Sequence, residues 1–230
     1  MKNIKYLAMG ALVALSLTSC DKDTEGLTDV LYYPVITLDG GYVAIPLGGT
    51  YVEPGYSAAL GSEDLTDQVE VTNNINPQQL GRYQVRYSVM SPEGFSASES
   101  RYVYVATPGQ VQNLYFGESQ YGSRHYYNAP IKVMDNGDGT YTIDDILGGF
   151  YCYGRYPSYL GVLDFFADAV VRIDGDNVEL VGDVGSWYFD AYPISIVEGK
   201  YDAAKETFTF DLDFDGDPVY VQLVGVQLTN

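Results

Sequence analysis

The sequence predicts an all-β chain, and three observations carry that prediction. Arg82 to Val89 reads R-Y-Q-V-R-Y-S-V, with Tyr83, Val85, Tyr87 and Val89 on one face and Arg82, Gln84, Arg86 and Ser88 on the other. Such period-two alternation marks a half-buried strand. Short apolar runs elsewhere are separated by turn signals: Asp135-Asn136-Gly137-Asp138-Gly139, Asp174-Gly175-Asp176-Asn177 and Asp213-Phe214-Asp215-Gly216-Asp217. Asp-Gly and Asn-Gly pairs tolerate the positive φ of tight hairpin turns. No segment of comparable length carries a helical period.

Composition narrows the function classes. The 230 residues are 46% hydrophobic and 19% charged, enough apolar material for one or two cores. Acidic residues number 31 against 12 basic ones, a formal net charge of -19. That field repels phosphate backbones and anionic lipid heads, so nucleic acid is not expected as a partner. The two cysteines, Cys20 and Cys152, are too few for a disulfide framework, so folding must rest on packing.

In chain order, residues 1–19 come first. Lys2 and Lys5 precede Y-L-A-M-G-A-L-V-A-L-S-L, a charged start followed by an apolar stretch. The stretch is shorter than the ~20 residues that span a bilayer, and it reads as a secretion signal. Leu17-Thr18-Ser19-Cys20 resembles the lipobox of bacterial lipoproteins. The resemblance implies that the signal is cut before Cys20 and that the Cys20 thiol is acylated. A chain this acidic would then be held to the membrane by lipid, not by charge. Residues 20–32 form an acidic tether. Within it Asp21-Lys22-Asp23-Thr24-Glu25 resembles the export tag of Bacteroidota lipoproteins, which implies the outer membrane and a position facing the cell exterior; a simple solvated tether has the same composition.

Residues 33–105 supply the first folded region. I-T-L-D-G-G, G-G-T-Y-V-E-P-G-Y-S-A, D-L-T-D-Q-V-E-V, L-G-R-Y-Q-V-R-Y-S-V and R-Y-V-Y-V follow one another in an order that resembles the bacterial immunoglobulin-like domain also found in some pesticidal crystal proteins. That family turns at D-x-x-G-N before its last strand, whereas this chain has Ser91-Pro92-Glu93-Gly94-Phe95, so the hairpin tip is expected to differ. The resemblance implies a sandwich that acts as a spacer or adhesive module. Glu53-Pro54-Gly55 reads as a turn, with proline setting φ and glycine permitting the reversal.

Pro108 and Gly109 interrupt the pattern inside a linker placed at 106–113, and a second β domain follows at 114–230. Strands are expected at Pro130 to Met134, Thr140 to Ile143, Tyr151 to Tyr153, Ala169 to Ile173, Val178 to Val181, Ile194 to Val197, Thr207 to Phe214 and Val219 to Leu228. Together they suffice for a small antiparallel barrel or sandwich. D-N-G-D-G-T-Y-T-I-D-D-I-L-G-G and G-K-Y-D-A-A-K-E-T-F-T-F resemble the lipocalin-like C-terminal domain of Bacteroidota lipoproteins, a resemblance that implies the fold and no particular activity.

Few residues carry catalytic chemistry. Asp211-Leu212-Asp213-Phe214-Asp215-Gly216 opens like a calcium loop, but position 12 falls on Gln222, which offers no bidentate carboxylate. Alternation of Phe208, Phe210, Leu212 and Phe214 with acids reads instead as a strand entering a hairpin. His125 is the only histidine; the segment Tyr121 to Tyr127 reads as a polar aromatic loop, and nothing local builds a triad. Cys152 reads as a small buried hydrophobe. Asp144-Asp145 is a carboxylate pair of a kind that 31 acids make common. No catalytic residue, metal or cofactor is therefore expected, and the chain is not expected to be an enzyme.

The distinctive feature is aromatic. Tyrosine occurs 23 times, with Tyr115, Phe116, Tyr121, Tyr126, Tyr127, Tyr151, Tyr153, Tyr156, Tyr159, Trp187 and Tyr188 in Gly-rich surroundings. Aromatic faces stack on the C–H faces of sugars, although aromatics are also common in β cores. Trp187, Tyr188, Tyr126 and Tyr127 are the candidate ligand-binding residues. The leading expectation is a non-enzymatic surface lipoprotein that binds glycan or assists polysaccharide capture. The alternative is a structural or adhesive module for outer-membrane protein partners. A third reading is a lipocalin-like pocket for a small apolar ligand.

Overall fold

The structure, a computed structural model, describes residues 31–189 and 191–229. The signal at 1–19, Cys20 with its lipid, and the tether up to residue 30 lie outside the described residues. In the N-terminal half the strands are β1 (Pro34–Leu38), β2 (Val43–Pro46), β3 (Tyr56–Leu60), β4 (Glu63–Asp64), β5 (Glu70–Asn73), β6 (Gly81–Met90) and β7 (Ser96–Ala106). Two sheets form, β1-β3-β4 and β2-β7-β6-β5, with β2 parallel to β7. Alternation along β6 turns Val85, Tyr87 and Val89 inward, where they meet Ile36, Ile45, Leu65, Val103 and Val105. Ser91-Pro92-Glu93-Gly94 closes the β6–β7 hairpin, Ser91 N–H and Gly94 N–H donating within the turn.

Glu53 does more than belong to a turn. Its carboxylate meets the guanidinium of the buried Arg101 at 3.3 Å and accepts from the Tyr51 and Tyr87 hydroxyls. Arg101 also donates to the carbonyls of Asp39, Gly41 and Gly55 at 2.7, 2.8 and 2.9 Å. One buried cation thus ties the turns beyond β1 and before β3 to the edge of β7.

In the C-terminal half the strands are β8 (Asn113–Tyr121), β9 (Arg124–Asp135), β10 (Thr140–Ile143), β11 (Ala169–Asp174), β12 (Asn177–Leu180), β13 (Ile194–Asp202), β14 (Thr207–Phe214) and β15 (Asp217–Gly225). Each is antiparallel to the next, and β15 returns to β8, closing an eight-stranded up-and-down barrel. Closure satisfies edges that an open sheet would expose. Tyr115, Ile131, Phe208, Phe210, Val221 and Leu223 occupy the interior, so the barrel axis holds side chains where the small-ligand reading expected a pocket. On β14 the phenylalanines point inward and Asp211 outward, and Asp215 and Gly216, at φ 51° and 90°, make the tight turn into β15. The calcium-like acids instead serve this hairpin, the Asp213 carboxylate accepting from Gly216 N–H at 2.9 Å.

Two expectations are corrected. Tyr121 to Tyr127 is not a loop: β8 and β9 form a hairpin with Tyr121 opposite Arg124, and Gly122, at φ 59°, takes the reversal. Tyr151 to Tyr153 is not a strand: Phe150–Arg155 is a turn of π-helix, with the N–H groups of Gly154 and Tyr156 reaching back five residues to the carbonyls of Gly149 and Tyr151.

The described residues from Pro34 onward pack as one compact unit. Ala44, Tyr104, Ala106, Leu114 and Val226 are buried together between the sandwich and the barrel. The Tyr42, Tyr104 and Phe116 rings meet edge to face around that cluster. Residue 229 runs beside β2, where Thr229 N–H donates to the Ala44 carbonyl and Ala44 N–H donates to the Thr229 hydroxyl.

Candidate functional site at the barrel mouth

The connection from β10 to β11 closes one end of the barrel, and its path starts at two carboxylates. Asp144 bonds the β9 backbone, accepting from Lys132 N–H at 2.8 Å and facing the Lys132 ammonium at 3.5 Å. Asp145 is fully buried. Its carboxylate accepts from Leu147 N–H and Gly149 N–H, both at 3.0 Å, and from the Cys152 thiol at 3.1 Å. Burial pushes the Asp145 carboxyl up to about 7 and also raises that of Asp144. The Cys152 thiol is pushed up as well, first by burial and then by Asp145, which favours its protonated form.

Gly148 and Gly149, at φ 61° and 84°, then lay the chain flat against the strands. A methyl group on Gly149 would overlap the Cβ of Ala129 on β9. The π-helical turn crosses the mouth with Gly154 lying on the Tyr126 ring, which leaves no room for a Cβ there. Phe150 fills the opening below, its ring 5.1 Å from Tyr126, 5.0 Å from Tyr151 and 5.5 Å from Tyr121.

The segment between β12 and β13 completes the plug. Gly185 N–H and Tyr188 N–H donate to the carbonyls of Asp168 and Asp164, each at 2.7 Å, which fastens this segment to the β10–β11 connection. Trp187 enters the cluster, 5.7 Å from Tyr151 and 5.9 Å from Phe214, and is only 6% exposed. Tyr188 stays outside at 54%, resting against Phe165 at 4.9 Å. Tyr159 and Tyr192 are likewise exposed, as are Leu160 and Val162. Beside Trp187 a groove of about 380 Å³ runs between Asp183, Ser186 and Tyr192.

The four candidates named from sequence therefore separate. Tyr188 lies on the exposed rim. Trp187 is corrected from a stacking platform to a packing residue, because its faces are taken by Tyr151, Phe189 and Phe214. Tyr126 joins the same cluster through Phe150 and is half-buried beneath Gly154. Tyr127 faces away on the barrel wall, 58% exposed, its hydroxyl 2.6 Å from His125 Nδ1 while His125 Nε2 meets Glu118 at 2.8 Å. The rim residue Tyr192 and the buried Phe165 on which Tyr188 rests escaped sequence reading. Neither sits in a glycine-rich run like those that drew attention to the others.

A family model for the immunoglobulin-like domain of bacterial surface proteins matches residues 36–105, and the model of a "like, C-terminal domain" family matches residues 103–224, more than half of the chain. Among solved structures the chain is similar to the lipoprotein BT2262 from Bacteroides thetaiotaomicron, at 19% identity and a TM-score of 0.52, over 84% of this chain and 100% of that one. It also aligns with a structure of CBM51-2 in complex with GlcNAc and INT domains from Clostridium perfringens ZmpB, at 15% identity and a TM-score of 0.29, over 83% of this chain and 43% of that one. The first likeness extends the shared fold across both halves, while the second is too low to establish a common fold. No curated protein sequence matches the chain. The chain thus belongs to the family of that C-terminal domain, with a region similar to the immunoglobulin-like domain of bacterial surface proteins joined to an eight-stranded barrel.

Proposed function

We propose that the protein is a non-enzymatic lipoprotein, anchored to the outer membrane through acylated Cys20 and facing the cell exterior, that binds glycan at the aromatic mouth of its barrel. The observation that carries the glycan reading is the exposed ring set of Tyr159, Tyr188 and Tyr192 beside a groove with Asp183 and Ser186. Rings offer stacking faces for pyranose C–H surfaces, and a carboxylate accepts from sugar hydroxyls. The net charge of -19 favours neutral glycans over acidic ones. The apolar rim residues Leu160 and Val162 favour the second reading, a protein partner, because sugars give such side chains little to pair with.

A glycan array probed with the chain from residue 20 onward, carrying Cys20→Ser, tests the first reading. Binding to neutral oligosaccharides that disappears in Tyr188→Ala and Tyr192→Ala is the expected result. An array with no binder, together with a stoichiometric protein captured from outer-membrane extracts and released by Leu160→Ser/Val162→Ser, replaces it with the second. Palmitate labelling that persists in Cys20→Ala overturns the anchor.

A further inference from the structure

The barrel is not equally closed all round. Each of the other seven neighbouring strand pairs shares three or more register positions. By contrast β12 and β13 share one, Asn177 opposite Lys200, supported by Tyr201 N–H donating to the Asp176 carbonyl at 2.9 Å. Val178 still lies against Gly199, where an added Cβ would fall 2.4 Å from the Val178 carbonyl oxygen, and beyond that position the strands part. On one side Val181 N–H stays bonded to Val170, holding β12 to β11; on the other, β13 stays in register with β14 from Ile194, apart from a bulge between Ile196 and Glu198. The bulge turns Val197 outward, 72% exposed. The seam between them is a groove of about 840 Å³.

We propose that this seam binds an extended basic peptide segment of another protein, which adds a strand between β12 and β13. Alternation of peptide groups across an antiparallel pair turns those of Leu180 away from β11 and toward the gap, and β13 presents a second edge opposite. Two facing edges can bond one inserted strand on both sides, the arrangement of β-augmentation. About five residues, ~17 Å of strand, span the parted stretch of β13. Val178, Leu180 and Ile196 give the floor apolar contacts, while Glu179, Asp183 and Glu198 surround it. The one lysine there, Lys200, already bonds Asn177 and lies 3.7 Å from Asp176. The seam is therefore negative, and charge selects a strand carrying lysine or arginine between apolar residues.

The probe is a capped hexapeptide of alternating valine and lysine, added to the chain from residue 20 onward, carrying Cys20→Ser, with backbone hydrogen exchange read residue by residue. Slowed exchange of the amides of Leu180, Ile194 and Ile196 is expected, since these alternate away from β11 and β14, with affinity falling about tenfold in Glu179→Lys/Glu198→Lys, whose exposed side chains leave the fold intact. The valine–glutamate analogue should bind only the doubly substituted chain. No protection at the seam, protection confined to another strand edge, or equal affinity for both peptides overturns the proposal.

Discussion

Asp145→Asn should flatten the dependence of stability on pH. Asp145 is a buried carboxyl whose folded pKa, about 7, lies above the ordinary 3.8 because burial disfavours its charged form. A carboxyl raised in this way leaves stability intact below the unfolded value, and the penalty grows as pH rises toward the folded one. Integrating the linkage relation with these two values gives a loss of about 3 kcal/mol between pH 5 and pH 8. For a chain of this length that is about 5–10 °C in Tm. Asp144, also raised by burial, adds a slope of the same sign. Asp64, Asp138 and Asp202, lowered by bonds from Thr66, Thr140 and Lys205, lose their contribution only on acidification below the ordinary carboxylate range and stay silent in this window. Scanning calorimetry at pH 5, 6, 7 and 8 should show the wild-type Tm falling. The asparagine chain should retain only the smaller slope due to Asp144. It should also start lower at pH 5, because its amide cannot accept from Leu147, Gly149 and Cys152 together, a cost of about 1–3 kcal/mol. A wild-type Tm that is flat or rises across the window, or an unchanged slope in Asp145→Asn, refutes the reasoning.

Two further substitutions separate backbone strain from packing and sandwich from barrel. Gly149→Ala should cost about 2–4 kcal/mol, the sum of left-handed strain and collision with Ala129, whereas Gly137→Ala, at φ 77° with open space around it, should cost only the strain, about 1–2 kcal/mol, by urea unfolding; equal losses would show that the plug yields freely. Arg101→Ala should cost about 3–5 kcal/mol, since it strands three carbonyls and the Glu53 carboxylate in the sandwich; a loss under about 1 kcal/mol by the same assay would mean that water enters and satisfies them.

What the sequence made legible follows from where alternation survives. β6 and β14 each have one wet and one dry face, so their pattern is visible, and Ser91-Pro92-Glu93-Gly94 and Asp215-Gly216 mark their ends. The plug has no such pattern. Asp145, Ile146, Leu147, Gly148, Gly149 and Phe150 are six consecutive buried residues, and their path is set by a carboxylate folded back on its own chain and by two positive φ angles. A carboxylate pair in an acidic sequence gives no sign that one member is buried. The same difficulty hid the difference between Trp187 and Tyr188. Adjacent aromatics have equal stacking chemistry, and it takes the hydrogen bonds to Asp164 and Asp168, with the rings of Tyr151, Phe189 and Phe214, to place Trp187 in the cluster and Tyr188 on the rim.

Those bonds also bear on how the two proposed sites relate. The segment between β12 and β13 forms one wall of the Trp187 groove, and the seam begins where the same segment leaves β12, so Asp183, Pro193 and Ile194 line both. The π-helical turn that supports the rim is itself braced from the sandwich, since the Arg82 guanidinium lies 4.6 Å from the Tyr102 ring and 5.1 Å from the Tyr153 ring. A cation between two rings holds both faces by its field as well as by contact. A strand entering the seam would bear on the segment that positions Tyr188, whereas the sandwich bears on the opposite side of the same plug through Tyr153. Ligand at the mouth and peptide at the seam would therefore act on one shared element, and any coupling between them must appear equally in the affinity of each.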